Sequence, residues 1–311
     1  MNKLEIFYWL LFSFAVLAFV LVYISYRKSY DIIRPPKRRV PVTVHPEQFH
    51  LAYETINFTA SDGIELNGWF IPAEGGETDK TIIFCHGWGT NKGEILKDTH
   101  FLSEQGFNLF YFDFRASGDS KGDISSVGYL EIRDLDGAVK FLRNFKQKES
   151  ECLSLYGCSM GGSVAVYGAR HYPEIKCLLS ESTFLSYKNV VKNWSWNRLK
   201  VPYFPMVMMT LYFVRRKLKV DSDLYSPLYN ITDVKLPCLF INGDNDDLVP
   251  VEDAKKLFEL CPSKEKDFWL IKGSSHAKCA EVAGQVFIEK VSEFFRKYAV
   301  AGTASREPAA K

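Results

Sequence analysis

The pattern of apolar and polar positions divides the chain into two unlike parts. From Ile6 to Tyr26 (IFYWLLFSFAVLAFVLVYISY) no charge occurs in 21 positions, and the stretch is apolar on every face of a helix. At about 1.5 Å per residue it reaches roughly 32 Å, enough to cross a hydrocarbon core of about 30 Å. A secretory signal would have a shorter apolar centre, about 7–15 residues, and then a small-residue cleavage site. Neither is apparent, so the pattern predicts a membrane anchor over residues 1–26 rather than a buried helix.

From about Leu51 onward, strand and helix patterns alternate. Tyr53 to Pro72 reads as a hairpin, with Ile56 and Phe58, then Ile64, Leu66, Trp69 and Ile71, around the turn Ala60-Ser61-Asp62-Gly63. Thr81 to Cys85 is a short apolar run ending in His86-Gly87-Trp88-Gly89. Further strand-like runs follow at Phe107–Phe112, Cys152–Tyr156, Ile175–Leu179, Cys238–Ile241 and Phe268–Ile271. Between them lie amphipathic stretches such as Tyr129–Phe145, where Leu130, Leu135, Ala138, Phe141 and Leu142 form a helical stripe. This alternation predicts an α/β domain over 51–299, with a mostly parallel sheet covered by helices on both faces.

One segment, about 184–235, interrupts the alternation. It holds Trp194, Trp196, Tyr203, Phe204, Met206, Met208, Met209, Tyr212 and Phe213. A structureless loop of that size would be exceptional in a compact domain. The segment reads as an inserted helical lid, its apolar residues forming a small core of their own, the wall of an apolar pocket, or both.

Charge alters the picture locally. Arg27, Lys28, Arg34, Lys37, Arg38 and Arg39 against Asp31 put a net +5 just after the apolar run, although the whole chain is only +2. The region from Val40 on is therefore near −3. Such a collar suits anionic headgroups and favours the cytoplasmic side. Pro35, Pro36 and Pro41 mark residues 27–50 as a stiff linker, and 300–311 reads as a flexible tail. The small net charge gives no attraction for nucleic acid. Seven cysteines lie scattered without metal-site spacing, several in strand runs, and read as reduced apolar side chains.

Chemistry enters at Gly157-Cys158-Ser159-Met160-Gly161-Gly162, between the strand run Cys152–Tyr156 and the helical stretch Ser163–Arg170. Glycines around a serine at such a junction permit a tight turn that lifts the hydroxyl above the sheet. A serine hydroxyl is a weak nucleophile, so it needs a base and a group that orients the base. His276 follows the strand run Phe268–Ile271, and Asp246 follows Cys238–Ile241. Both lie beyond strand C-termini, on the edge where open α/β sheets bind ligands. Asp244, Asp247 and Glu181 compete for the acid role. Asp246 is preferred because Gly243 and Leu248-Val249-Pro250 frame it in a G-x-x-D-x-x-V-P arrangement similar to the one common in the α/β-hydrolase superfamily, which the chain resembles.

With the order Ser159, Asp246, His276, the chain resembles the α/β-hydrolase superfamily over roughly Tyr53 to Tyr298. Within it, the chain is similar to membrane-anchored bacterial-type hydrolases and the serine-aminopeptidase-like branch. Asp113-Phe114-Arg115-Ala116-Ser117-Gly118-Asp119-Ser120 is similar to the family's D-x-R-G-x-G-x-S turn, with Ala116 in place of the first glycine; Ser226-Pro227 also fits the branch. The resemblance implies an oxyanion hole made by the backbone N–H groups of Met160 and Trp88, with His86 supporting the loop. His45, His50, His100 and His171 have no such context and read as solvated.

The expected protein is a serine hydrolase of carboxylic esters or thioesters, lipase-like in its apolar acyl substrates, working without metal or organic cofactor. It would be single-pass, with its domain in the cytoplasm. Asn57, Asn193 and Asn230 stand in N-x-[ST] patterns that would permit glycosylation in the opposite orientation. An aminopeptidase or amidase on the same scaffold, and a non-catalytic binding module, are the alternatives.

Overall fold

A computed structural model of the chain describes residues 2–34 and 40–300. Pro35, Pro36, Lys37, Arg38 and Arg39 of the collar, and 301–311 of the tail, lie outside the described residues. Among the described residues eight strands form one sheet: β1 (Glu54–Thr59), β2 (Glu65–Ile71), β3 (Lys80–Cys85), β4 (Asn108–Phe112), β5 (Cys152–Cys158), β6 (Ile175–Glu181), β7 (Cys238–Gly243) and β8 (Lys266–Ile271). Their order is β1-β2-β4-β3-β5-β6-β7-β8. The β1–β2 and β2–β4 pairs are antiparallel, and every later pair is parallel.

The burial patterns explain why the sequence reads as it does. β1 alternates, with Ile56 and Phe58 turned to the core, whereas β4 is buried at every position. A central strand covered on both faces by helices must be apolar throughout. Among the described residues the α-helices are α1 (Lys3–Ile33), α2 (Lys92–Thr99), α3 (Glu131–Phe145), α4 (Met160–His171), α5 (Tyr187–Leu199), α6 (Met208–Leu218), α7 (Pro227–Asn230), α8 (Val251–Leu260), α9 (Cys279–Ala283) and α10 (Gln285–Tyr298). One core layer includes Leu135, Leu142, Val164 and Ala169 from α3 and α4. The other includes Leu96, Phe287, Val291 and Phe295 from α2 and α10. The inserted segment carries α5, α6 and α7.

The first helix differs from its expected extent. Asn2 and Glu5 close a reciprocal cap at its start, Asn2 Oδ1 accepting from the Glu5 N–H at 2.8 Å. The helix then runs 31 residues, about 46 Å at the standard rise, and so continues through Ile33, beyond Tyr26 and into the expected stiff linker. It stops at Arg34, which is extended (φ −114°, ψ 111°), because the residue before a proline is pushed out of the helical region. Residues from Val40 on are also less free than a solvated spacer. Asn91 Nδ2 donates to the Val40 carbonyl at 3.3 Å and the Pro41 carbonyl at 3.2 Å. The most apolar window of α1 has a mean hydropathy of 2.4, and none of it is buried against the rest of the protein. The helix is therefore long and apolar enough to cross a membrane, and is not a core helix.

Candidate active site

β5 ends at Cys158 and α4 begins at Met160, leaving Ser159 alone to make the turn. Its backbone has φ +54° and ψ −116°, a conformation that L-residues avoid and that persists only where neighbours enforce it. The glycines supply that enforcement by letting backbones meet. A Cβ on Gly161 would lie 1.9 Å from the Cys85 carbonyl oxygen, and one on Gly157 would lie 2.5 Å from the Gly161 carbonyl oxygen. The Ser159 N–H donates to the Glu181 carbonyl at 2.9 Å, which fastens the turn to β6.

The tertiary fold brings Ser159, His276 and Asp246 together. Ser159 Oγ lies 2.9 Å from His276 Nε2, and His276 Nδ1 lies 2.8 Å from Asp246 Oδ2. An ionised carboxylate can only accept, so Nδ1 carries the ring hydrogen and Nε2 is free to accept from the serine hydroxyl. The Asp246 side chain is wholly buried. Its other oxygen accepts the N–H groups of Leu248 at 3.0 Å and Val249 at 2.8 Å, so the carboxylate is oriented from both ends.

Each competing acid is engaged elsewhere. Glu181 is buried and accepts from the Tyr156 hydroxyl at 2.5 Å. Burial pushes its carboxyl above the ordinary range, against the pull of that hydrogen bond. Asp244 Oδ1 accepts the Gly273 N–H at 2.6 Å, tying the β7 loop to the turn before His276. Asp247 faces Arg198 of α5 at 3.4 Å.

The loop after β3 lies against Ser159: a Cβ on Gly87 would be 3.6 Å from Ser159 Cβ. His86 is buried, with Nδ1 donating to the Gly87 carbonyl at 2.7 Å and Nε2 accepting the Phe114 N–H at 3.0 Å. Burial lowers its pKa, which keeps the ring neutral and able to accept. His100 and His171 stack on Phe49 and Tyr167, at centroid distances of 4.0 and 3.8 Å. Ala116 sits at φ +57°, so the D-x-R turn keeps the glycine-type conformation with an alanine in it.

One supporting residue escaped the sequence reading. Lys92, at the start of α2, is completely buried. Its Nζ donates to Asp113 Oδ2 and Asp119 Oδ2, each at 2.6 Å, and lies 4.7 Å from the centre of the Trp69 ring. It fastens the segment after His86-Gly87-Trp88-Gly89 to the D-x-R turn. A lysine among polar residues at a helix start looks like a surface residue, and only the converging carboxylates distinguish it.

A cavity of about 350 Å³ opens on Ser159 and His276 and is lined mainly by apolar side chains, among them Trp88, Phe184, Val190, Val191, Trp194 and Leu248. That volume is near the lower end for small-molecule sites. No group of three or more His, Cys, Asp or Glu side chains suited to a metal occurs among the described residues.

The strand order and the serine turn between β5 and α4 are those of an α/β hydrolase. The chain belongs to the α/β-hydrolase superfamily, and residues 76–228 match the family described as serine aminopeptidase S33. It is 30% identical over 235 residues to a Salmonella typhimurium protein described as uncharacterized protein YfhR, covering 71% of this chain and 73% of that one. A Saccharomyces cerevisiae protein described as an uncharacterized membrane protein is 28% identical over 236 residues, covering 74% of this chain and 76% of that one. Among solved structures, the Pyrococcus furiosus esterase Pf2001 superposes with a TM-score of 0.71 at 28% identity, covering 86% of this chain and all of that one.

Proposed function

We propose that the protein is a serine hydrolase that cleaves carboxylic esters or thioesters of apolar acyl groups while anchored in a membrane by α1. The observation that carries this reading is the relay of 2.9 Å from Ser159 Oγ to His276 Nε2 and 2.8 Å from His276 Nδ1 to Asp246. As Ser159 Oγ bonds to the acyl carbon, His276 Nε2 takes its proton, and Asp246 compensates the imidazolium that forms. The leaving alcohol or thiol departs with that proton, giving an acyl-enzyme. Water then attacks the acyl carbon, its proton passing to His276 and on to Ser159, and the carboxylic acid is released.

The developing oxyanion requires donors fixed in advance. The Met160 N–H heads α4 and has no acceptor within the helix. The Trp88 N–H belongs to the loop that approaches Ser159 through Gly87. These two backbone groups are assigned as the oxyanion hole. Mainly apolar lining beside the nucleophile favours an acyl chain over a charged amino terminus, which an aminopeptidase would have to pair with acidic groups; the one carboxylate lining the cavity among the described residues, Asp31, is already paired with Lys28. Likeness to an esterase along that protein's whole length supports the same choice.

A fluorophosphonate probe is expected to label Ser159, and Ser159→Ala to abolish labelling in a folded protein. Rates on esters should rise from acetyl toward longer chains. Undiminished labelling of the alanine variant would refute the nucleophile, and strict dependence on a free amino group would favour the peptidase reading.

The catalytic domain is assigned to the cytoplasmic side. Arg27, Lys28 and Arg34, with Lys37, Arg38 and Arg39, follow the apolar run, while Lys3 alone precedes it. Asn230 is buried, accepting from Arg170 at 3.0 Å and donating to the Ser226 carbonyl at 3.0 Å, which leaves no room for a glycan. External protease should leave the domain intact in sealed cells, and its digestion without permeabilisation would reverse the orientation.

A further inference from the structure

The pocket beside Ser159 has a wall that belongs to no part of the hydrolase domain. Ile24, Lys28, Asp31 and Ile32 of α1 line the same cavity as Ser159 and His276. Lys28 follows Ile24 by four residues, and Asp31 and Ile32 follow Lys28 by three and four, so the four form one strip of that helix. The adjoining strip, Ser25, Ser29 and Ile33, is buried. Ser25 Oγ donates to the Met206 carbonyl at 3.3 Å, and Lys217 Nζ donates to the Tyr26 carbonyl at 3.2 Å and to Ser29 Oγ. Tyr26 meets Phe213 edge to face at 5.4 Å, and the Ser125 N–H donates to the Ile33 carbonyl at 2.8 Å. The end of α1 is thus docked on the lid and on the body of the domain, and is not a free tether.

The height of this contact relative to a bilayer follows from the charges. Between Glu5 and Arg27 the helix carries none, so Ile24 lies where the apolar run ends and Lys28 and Asp31 lie just outside it. Lys28 and Asp31 form an exposed ion pair of 2.8 Å while lining the cavity, which places them at its rim. The lid shows the same gradient. Because Met206, just before α6, meets Ser25 and Lys217, near the end of α6, meets Ser29, α6 runs alongside α1 in the same direction. Its exposed face begins with Met208 and Tyr212, preceded by exposed Phe204, and changes to Arg215 and Arg216, with exposed Lys219 just past its end. Exposed apolar side chains below and basic ones above are the pattern of a surface seated in a membrane interface.

We infer that α1 is a working wall of the acyl pocket and that the substrate is a bilayer-resident lipid ester, whose acyl chain slides along α1 from the membrane to Ser159. This rests on the hydrolase reading above and adds the substrate's source and a role for the helix beyond anchoring. A chain that stays in apolar surroundings from bilayer to pocket avoids exposure to water, which would cost about 0.8 kcal/mol per methylene.

The test uses the full chain in phosphatidylcholine nanodiscs doped with fluorogenic acetyl or palmitoyl esters, with fluorophosphonate labelling of Ser159 as an independent measure of the nucleophile. Ile24→Trp, which fills the pocket at the membrane end, should lower the palmitoyl-to-acetyl rate ratio by about tenfold or more, the scale of pocket discrimination between chains. Ile32→Ala, which adds space, should move the preference toward longer chains and guards against misfolding of the tryptophan variant. Val22→Trp, an exposed position outside the pocket lining, should leave the ratio unchanged. Labelling that persists with a ratio indifferent to both pocket variants would overturn the role of α1. Equal palmitoyl rates from nanodiscs and from monomeric ester in water would overturn loading from the bilayer. Absence of labelling in the unmodified chain would instead remove the hydrolase reading on which the inference stands.

Discussion

Replacing Asp246 by asparagine isolates what the carboxylate does for His276. In the native arrangement one Asp246 oxygen is held by the Leu248 and Val249 N–H groups at 3.0 and 2.8 Å, and the other accepts from His276 Nδ1 at 2.8 Å. An asparagine oxygen would stay with the two backbone donors, turning its NH₂ toward the imidazole. The ring must then accept at Nδ1 and carry its hydrogen on Nε2, facing Ser159 Oγ 2.9 Å away. A protonated Nε2 cannot take the serine proton. The substitution barely changes shape yet selects the unproductive tautomer, and turnover should fall by about 10⁴, equivalent to about 5.4 kcal/mol in the barrier. Glu181→Gln keeps a partner for the Tyr156 hydroxyl and leaves the backbone carbonyl that accepts the Ser159 N–H in place, and its side chain is bonded to neither His276 nor Ser159, so its effect should stay within about threefold, well under 1 kcal/mol. Hydrolysis of a short ester by purified variants, with thermal unfolding to verify the fold, measures both. A larger loss in Glu181→Gln than in Asp246→Asn would refute the assignment of the acid.

Two further expectations concern the structure behind the site. Ala116 at φ +57° holds a left-handed conformation costing an L-residue roughly 1–2 kcal/mol; after the greater unfolded-state freedom of glycine is subtracted, Ala116→Gly should stabilise the protein by about 0.5–1 kcal/mol, seen as a raised Tm, and a lowered Tm would contradict this. The Arg115 guanidinium, with help from Arg133, holds the Asp62 carboxyl at about 2, below its usual 3.8. Because the folded value is the lower one, this stabilisation is present above about pH 4 and is lost as pH falls toward 2. The acid limb of a Tm-against-pH profile should therefore flatten in Asp62→Asn, and an unchanged limb would exclude this ion pair as its source.

The fold was readable wherever the relevant forces act between near neighbours in sequence. Alternating and continuous apolar runs located the strands to within two residues at most ends, because period and burial are coupled along a strand. The turn at Ser159 was equally local: the glycines that admit its backbone lie within three residues of it. The apolar length of α1 was plain as well, although its end at Ile33 was not, since charged Arg27, Lys28 and Asp31 mask a helix that continues until the proline constraint at Arg34.

What only the tertiary structure decided was which distant groups converge. Asp244, Asp246 and Asp247 are close in sequence, but their side chains reach Gly273, His276 and Arg198 respectively, and composition carries no trace of that divergence. Lys92 is buried because Asp113 and Asp119 reach it from 21 and 27 residues away. Ser25 and Ser29 stand within or beside the apolar run as small, unremarkable positions until Met206 and Lys217 of the inserted segment, about 180 residues later, meet them. Local conformation depends on short-range sterics and solvation, which each stretch of sequence encodes for itself. The meeting of Asp246 with His276, and of α1 with the inserted segment, depends on contacts across long loops, which exist only once the sheet has set its strand order and that segment has met the helix.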